Sequence, residues 1–126
     1  MLLMPTLRVK WAFLASSILL ILFGILQNPA PIGFETRPSS EVPPYFFGIF
    51  VIALILAVIA IPLGLWRMKR AVLVAAPAAL FNLLPPIADQ LHILHSAATP
   101  GAMLAVEALA VIDSLALVSL GLLGRK

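Results

Sequence analysis

The chain has 126 residues, of which 63% are hydrophobic and 10% charged, with no cysteine and a formal net charge of +3. Soluble domains carry roughly 45–50% apolar and about 25% charged residues, and the eight Lys and Arg with five Asp and Glu of this chain cannot clothe a water-facing surface. Lipid is therefore the expected solvent, which excludes a soluble enzyme, a disordered chain and a nucleic-acid binder; the missing cysteines exclude disulfides and thiolate metal sites.

The first apolar run, Trp11 to Leu26, is interrupted only by Ser16 and Ser17. Val9 and the aliphatic stem of Lys10 lengthen it to a span over 9–27. The residues that follow, Gln27-Asn28-Pro29-Ala30, match a small-x-small cleavage pattern poorly, so the segment is expected to be a retained span and not a signal peptide. An outer loop over 28–44 comes next. It holds Pro29, Pro31, Pro38, Pro43 and Pro44 with Glu35, Arg37 and Glu41, a composition that favours stiff extended chain. It is either a cap over the helix ends or a solvated tether.

The second span, 45–66, opens on Tyr45 and closes on Trp66, as aromatic belts at the two interfaces predict. Ala53, Ala57, Ala60 and Gly64 form one smooth stripe along it. The third span is harder to bound. Ala71 to Leu84 gives only about 21 Å at 1.5 Å per residue, short of a hydrocarbon core of about 30 Å. The span must then continue through Pro85-Pro86 as a kinked or broken helix over 71–95, with its irregular part turned to protein or to the interface. Ala71, Ala75 and Ala79 recur on it at intervals of four. The fourth span, 98–123, carries Ala98, Gly101, Ala105, Ala108, Ala116 and Ser119 within about 80° of arc, and that stripe is expected to face the bundle.

Arg8, Lys10, Arg67, Lys69, Arg70, Arg125 and Lys126 fall on one side of this arrangement and only Arg37 on the other. The positive-inside rule then places both termini and the short 67–70 turn in the cytoplasm, with the protein integral to a plasma or inner membrane. The fold expected is all-α: a polytopic four-helix bundle forming a single transmembrane domain.

Ionisable groups within a span mark functional candidates. Counted from the basic side, Asn82 and Asp113 both lie about 17 Å deep, and Glu107 and Asp89 about 26–27 Å deep. Asn82, Asp113 and Glu107 are thus the candidate intramembrane polar or proton site: either Asn82 bonds Asp113 as a structural pin, or Asp113 binds and releases a proton or cation, with Glu107 and the histidines as an outer relay and Ser119, Ser16 or Ser17 continuing the path inward. Asp89, His92 and His95, spaced by three, form a candidate outer cluster on one helical face that Glu107 reaches. A divalent metal is the competing chemistry at that cluster, but no metal-binding motif is present. A haem is disfavoured because one helix cannot place His92 and His95 on opposite faces of a porphyrin. No metal and no cofactor are expected.

The chain lacks a P-loop, a G-x-S-x-G and a G-x-G-x-x-G, so catalysis is not expected. The smooth stripes favour a non-catalytic accessory or assembly subunit, with the bilayer and either its own copies or a larger membrane complex as partners. The alternative is a proton- or cation-coupled small transporter or channel acting as a homodimer through its intramembrane acids.

Overall fold

The computed structural model describes residues 3–29 and 32–125, without the side chains of residues 3–6 and 39. Ala30 and Pro31 of the proline-rich segment and the C-terminal Lys126 lie outside the described residues. Within them the chain is all-helical: α1 (Leu3–Leu26), α2 (Tyr45–Trp66), α3 (Val72–Gln90) and α4 (Gly101–Gly124). Each is long and apolar enough to cross a membrane. Even α3, the shortest at 19 residues, extends about 28 Å.

The helices are arranged in a ring, α1 against α2 and α4, and α3 against α2 and α4. Small side chains make this close approach possible, because association in lipid depends on packing and hydrogen bonds and gains nothing from hydrophobicity. The α2 stripe of Ala53, Ala57, Ala60 and Gly64 is buried throughout, as are Ala71, Ala75, Ala78 and Ala79 at and along α3. Phe13, Leu20 and Leu117 fill the space between them and are almost wholly enclosed. At Gly121 of α4 a Cβ would sit 3.2 Å from the Val72 Cα, so glycine sets the separation of α3 and α4 there.

At one end, a 3-10 turn over Met68–Arg70 links α2 to α3 and packs near the end of α4. Arg67, Lys69, Arg70 and Arg125 are exposed there, and this is called the basic end. The opposite, capped end is covered by the described parts of the 27–44 segment, residues 27–29 and 32–44, and by residues 91–100. Gln27 and Asn28 bond back to the carbonyls of Phe23, Gly24 and Ile25 at 3.1–3.2 Å, which satisfies acceptors that a helix terminus leaves open. The chain then doubles back, with Phe34 N–H donating to Leu26 O at 2.8 Å and Glu35 N–H to Asn28 O at 3.2 Å. A Cβ at Gly33 would collide with the carbonyls of Leu26 and Asn28, so this reversal requires glycine. The loop is a cap and not a tether, since Glu35 and Arg37 are both buried.

One boundary and one face differ from expectation. The third span ends at Gln90, not near His95, and runs as one helix through Pro77, Pro85 and Pro86. Both members of the Pro-Pro pair are buried, where neighbouring protein shields the carbonyls that proline leaves without a donor. The helix stops in a Schellman turn: His92 takes φ 60°, its N–H donates to Asp89 O at 3.0 Å, and Ile93 N–H donates to Ala88 O at 2.9 Å. Glycine ordinarily fills that left-handed position, and its absence hid the stop. Of the expected small-residue stripe, Ala98, which precedes α4, and Gly101, Ala105, Ala108 and Ser119 on it are exposed, and Ala116 is half-buried. The inward face is instead Met103, Val106, Glu107, Ala110, Asp113, Ser114, Leu117 and Gly121. Burying the two acids displaced the small-residue ridge to the outside.

Candidate functional site

The capped end is organised around Arg37. Its guanidinium has five N–H donors, and all five are used. Nε and Nη2 donate to Glu35 Oε1 and Oε2 at 2.9 and 2.8 Å. Nη1 and Nη2 donate to Asp89 Oδ1 and Oδ2 at 2.8 and 2.7 Å. The remaining Nη1 hydrogen reaches Ala97 O at 3.3 Å. Forked pairs of this kind are the strongest and most directional ion pairs a protein makes. Here they tie the 27–44 loop to the last turn of α3 and to the loop before α4.

Thr99 is a second node. Its hydroxyl donates to Asp89 Oδ2 at 3.0 Å and accepts from Gln90 Nε2 at 3.1 Å. Gln90 Nε2 also donates to Glu107 Oε2 at 3.3 Å, so the network passes from loop to α3 to α4. Glu107 shares with Glu35, Asp89 and His95 the wall of a small cavity of about 40 Å³ beneath the cap. Three buried carboxyls thus line one small cavity, and two of them, Glu35 and Asp89, are paired with the buried Arg37 guanidinium.

Glu41 anchors the rim of the cap, accepting from Ser96 N–H at 3.1 Å and Ser96 Oγ at 3.2 Å. The His95 imidazole is buried between two carboxylates, Nδ1 at 3.4 Å from Glu41 and Nε2 at 3.7 Å from Glu35. Its Nδ1 has no hydrogen-bond partner among the described residues. Burial opposes the charge on Glu35, but the hydrogen bonds from the Arg37 side chain and backbone hold its carboxyl below the ordinary 4.5. The Ser96 backbone N–H holds Glu41 below that value as well. Arg37 is held in its charged form chiefly by its bonds to Glu35, against the opposing effect of burial.

The expected outer cluster is therefore only partly assembled. Asp89 and His95 both line the small cavity, but through loop and helix and not along one helical face. His92 is exposed and turned away by the Schellman geometry. Glu107 is met by Gln90 and not by either histidine. No group of three or more metal-ligating side chains suited to a metal ion is present among the described residues.

The deeper pair is not formed as expected. Asn82 Nδ2 donates to Ala78 O of its own helix at 3.3 Å. Asp113 Oδ1 instead accepts from Ser16 Oγ of α1 at 2.8 Å, and its buried Oδ2 has no partner among the described residues. Equal depth on adjacent helices did not ensure contact, because α1 and not α3 lies against that side of α4. Ser17 and Ser119 bond carbonyls four residues earlier in their own helices, so neither continues a path from Asp113. Composition missed Glu35, Arg37, Glu41, Gln90 and Thr99 as site members. The available signal was the lone basic residue opposite seven others, set two residues from an acid inside a proline-rich loop.

Fold and composition together define a small multi-pass membrane protein whose four apolar helices are suited to contact with a lipid bilayer. No protein-family model matches the chain, nor does any curated protein or solved structure.

Proposed function

We propose that the chain is a non-catalytic accessory or assembly component that packs against another membrane chain through the face formed by α3 and α4. The observation that carries this is a groove of about 290 Å³ between those helices, lined by Pro86, Ile87, Leu104, Ala108 and Val111, with Gln90 and Glu107 as its polar groups. The exposed ridge of Gly101, Ala105, Ala108 and Ser119 runs beside it. A Cβ at Gly101 would meet nothing within 4 Å. Small residues that pack inside a bundle are used up there. On α4 they remain available to let a second helix approach, and a donor on that helix would find the Glu107 carboxyl. The intramembrane acid Asp113 is meanwhile engaged in binding α1 to α4, a structural use.

The chain has no native cysteine, which makes the test direct. Ala105→Cys or Ala108→Cys, carrying a maleimide–diazirine cross-linker in native membranes, is expected to yield one discrete adduct with a different membrane protein. An adduct with lipid alone would overturn the assignment.

We weigh against this a proton- or cation-coupled carrier or channel working as a homodimer. It is favoured by the excess of buried carboxyls, Glu35, Asp89 and Glu107, over the single Arg37, and by the unpartnered Oδ2 of Asp113. Reconstituted protein would then move protons, and Glu107→Gln and Asp113→Asn would each abolish the flux. A cross-link between two copies at Ala105→Cys, together with such a flux, would favour the carrier over the accessory role.

A further inference from the structure

A second cavity, of about 230 Å³, lies between α1 and α2 with α3 as its back wall. Leu20, Ile21, Phe50 and Ala53 give it apolar sides, and it opens toward lipid past the exposed Ile25, Val51 and Leu54. Asn82 lines it, 5% exposed. Among the described residues no donor reaches Asn82 Oδ1, and only one of its two amide hydrogens is used, on Ala78 O. The open acceptor and donor of this amide therefore look into an apolar-walled cavity, which favours a guest able to supply both. Gly24 lines the same cavity, and a Cβ there would lie 3.8 Å from Asn82 Oδ1, so a larger side chain at this position would grow into the space beside the amide.

We infer that this cavity binds a hydroxyl-bearing apolar molecule drawn from the bilayer, an alcohol or phenol whose O–H donates to Asn82 Oδ1 and whose oxygen accepts from the free Nδ2 hydrogen. A hydroxyl is the smallest group that answers both open valences of the amide. The volume supports an organic guest, because an apolar protein cavity of about 150 Å³ already accepts benzene. The lateral opening between α1 and α2 faces the phase in which such a molecule dissolves. Asn28, at the start of the cap, also lines the cavity, with its amide nitrogen already donating to Gly24 O and Ile25 O; the α3–α4 face takes no part, so this site stands or falls independently of the assembly role.

The test compares a diazirine-tagged lipophilic phenol with its methyl ether, which has the same apolar body and no donor, on the full chain in lipid nanodiscs. Mass spectrometry of the labelled peptides should place the phenol on α1 and α2 around Leu20 and Phe50, with about a tenfold preference over the ether, the worth of one hydrogen bond otherwise left unmade. Asn82→Leu should erase the preference while leaving ether labelling in place. Gly24→Ile, which fills the cavity from the opposite wall, should remove labelling by both probes. Equal labelling of the native protein by phenol and ether, labelling untouched by Gly24→Ile, or no labelling above background (a cavity holding water only) would each overturn the assignment. The comparison of the two probes on the native chain does not depend on either variant folding.

Discussion

Arg37 shows how one side chain can organise a whole end of a membrane bundle. Its cost when buried is offset only because every N–H finds an acceptor, and that condition makes it hard to replace. Removing one partner of a buried ion pair leaves the other charges uncompensated, at about 3–5 kcal/mol. Arg37→Met is therefore expected to lower the stability of the detergent-solubilised protein by about that amount in a denaturant titration. Arg37→Lys should recover only part of it, because an ammonium cannot fork onto two carboxylates. A loss below about 1 kcal/mol, the scale of an exposed pair, would show that the cap is not closed by this residue. Acid should act on the same structure. Glu35 and Glu41 are both held below the ordinary 4.5, so the native state binds fewer protons than the unfolded state in that range. The stability they contribute is complete above pH 4.5 and is lost as pH falls through their depressed values. Thermal midpoints of the native chain and Glu41→Gln, followed from pH 6 to pH 3, should differ at the upper end and converge at the lower. A gap that widens on acidification would contradict this.

At the scale of elements, α3 shows what sequence pattern can and cannot reveal. The bounds of α2 were legible because Tyr45 and Trp66 bracket an unbroken apolar run. The end of α3 was not, because the usual glycine is replaced by His92 at φ 60°. A left-handed conformation costs a residue with a Cβ roughly 1–2 kcal/mol. His92→Gly should therefore stabilise the protein by up to about 1 kcal/mol, after allowing for the greater freedom of glycine in the unfolded chain. His92→Val, branched at Cβ, should destabilise it, since such residues rarely take positive φ. Thermal unfolding checks both, and the opposite order would mean that α3 does not end in a Schellman turn. On α4 the pattern misled for a different reason. Two stripes competed for the interior, one of small residues and one containing Glu107 and Asp113. A buried acid with a hydrogen-bond partner is worth more than a smooth surface when the alternative is bare hydrocarbon. Depth counting located the acids along the axis but carried no information on azimuth, and so it paired Asp113 with Asn82 when Ser16 was the nearer neighbour.

For the molecule as a whole, the two ends perform different tasks. The basic end is held by small-residue contacts and a 3-10 turn, with Arg67, Lys69, Arg70 and Arg125 exposed. The capped end spends its charges on one another and closes the helix ring beneath a folded loop. This division follows from four crossings, which put Arg67–Arg70 and Arg125 together and Arg37 opposite them. Single cysteines are easily introduced into a chain that has none, and Lys69, Ala97 and Arg125 are all exposed. The decisive measurement is labelling of Lys69→Cys, Ala97→Cys and Arg125→Cys with a membrane-impermeant maleimide in sealed vesicles of each orientation. Lys69→Cys and Arg125→Cys should react from one face of the membrane and Ala97→Cys only from the other; reaction of Lys69→Cys and Ala97→Cys from the same face would contradict the four-span bundle.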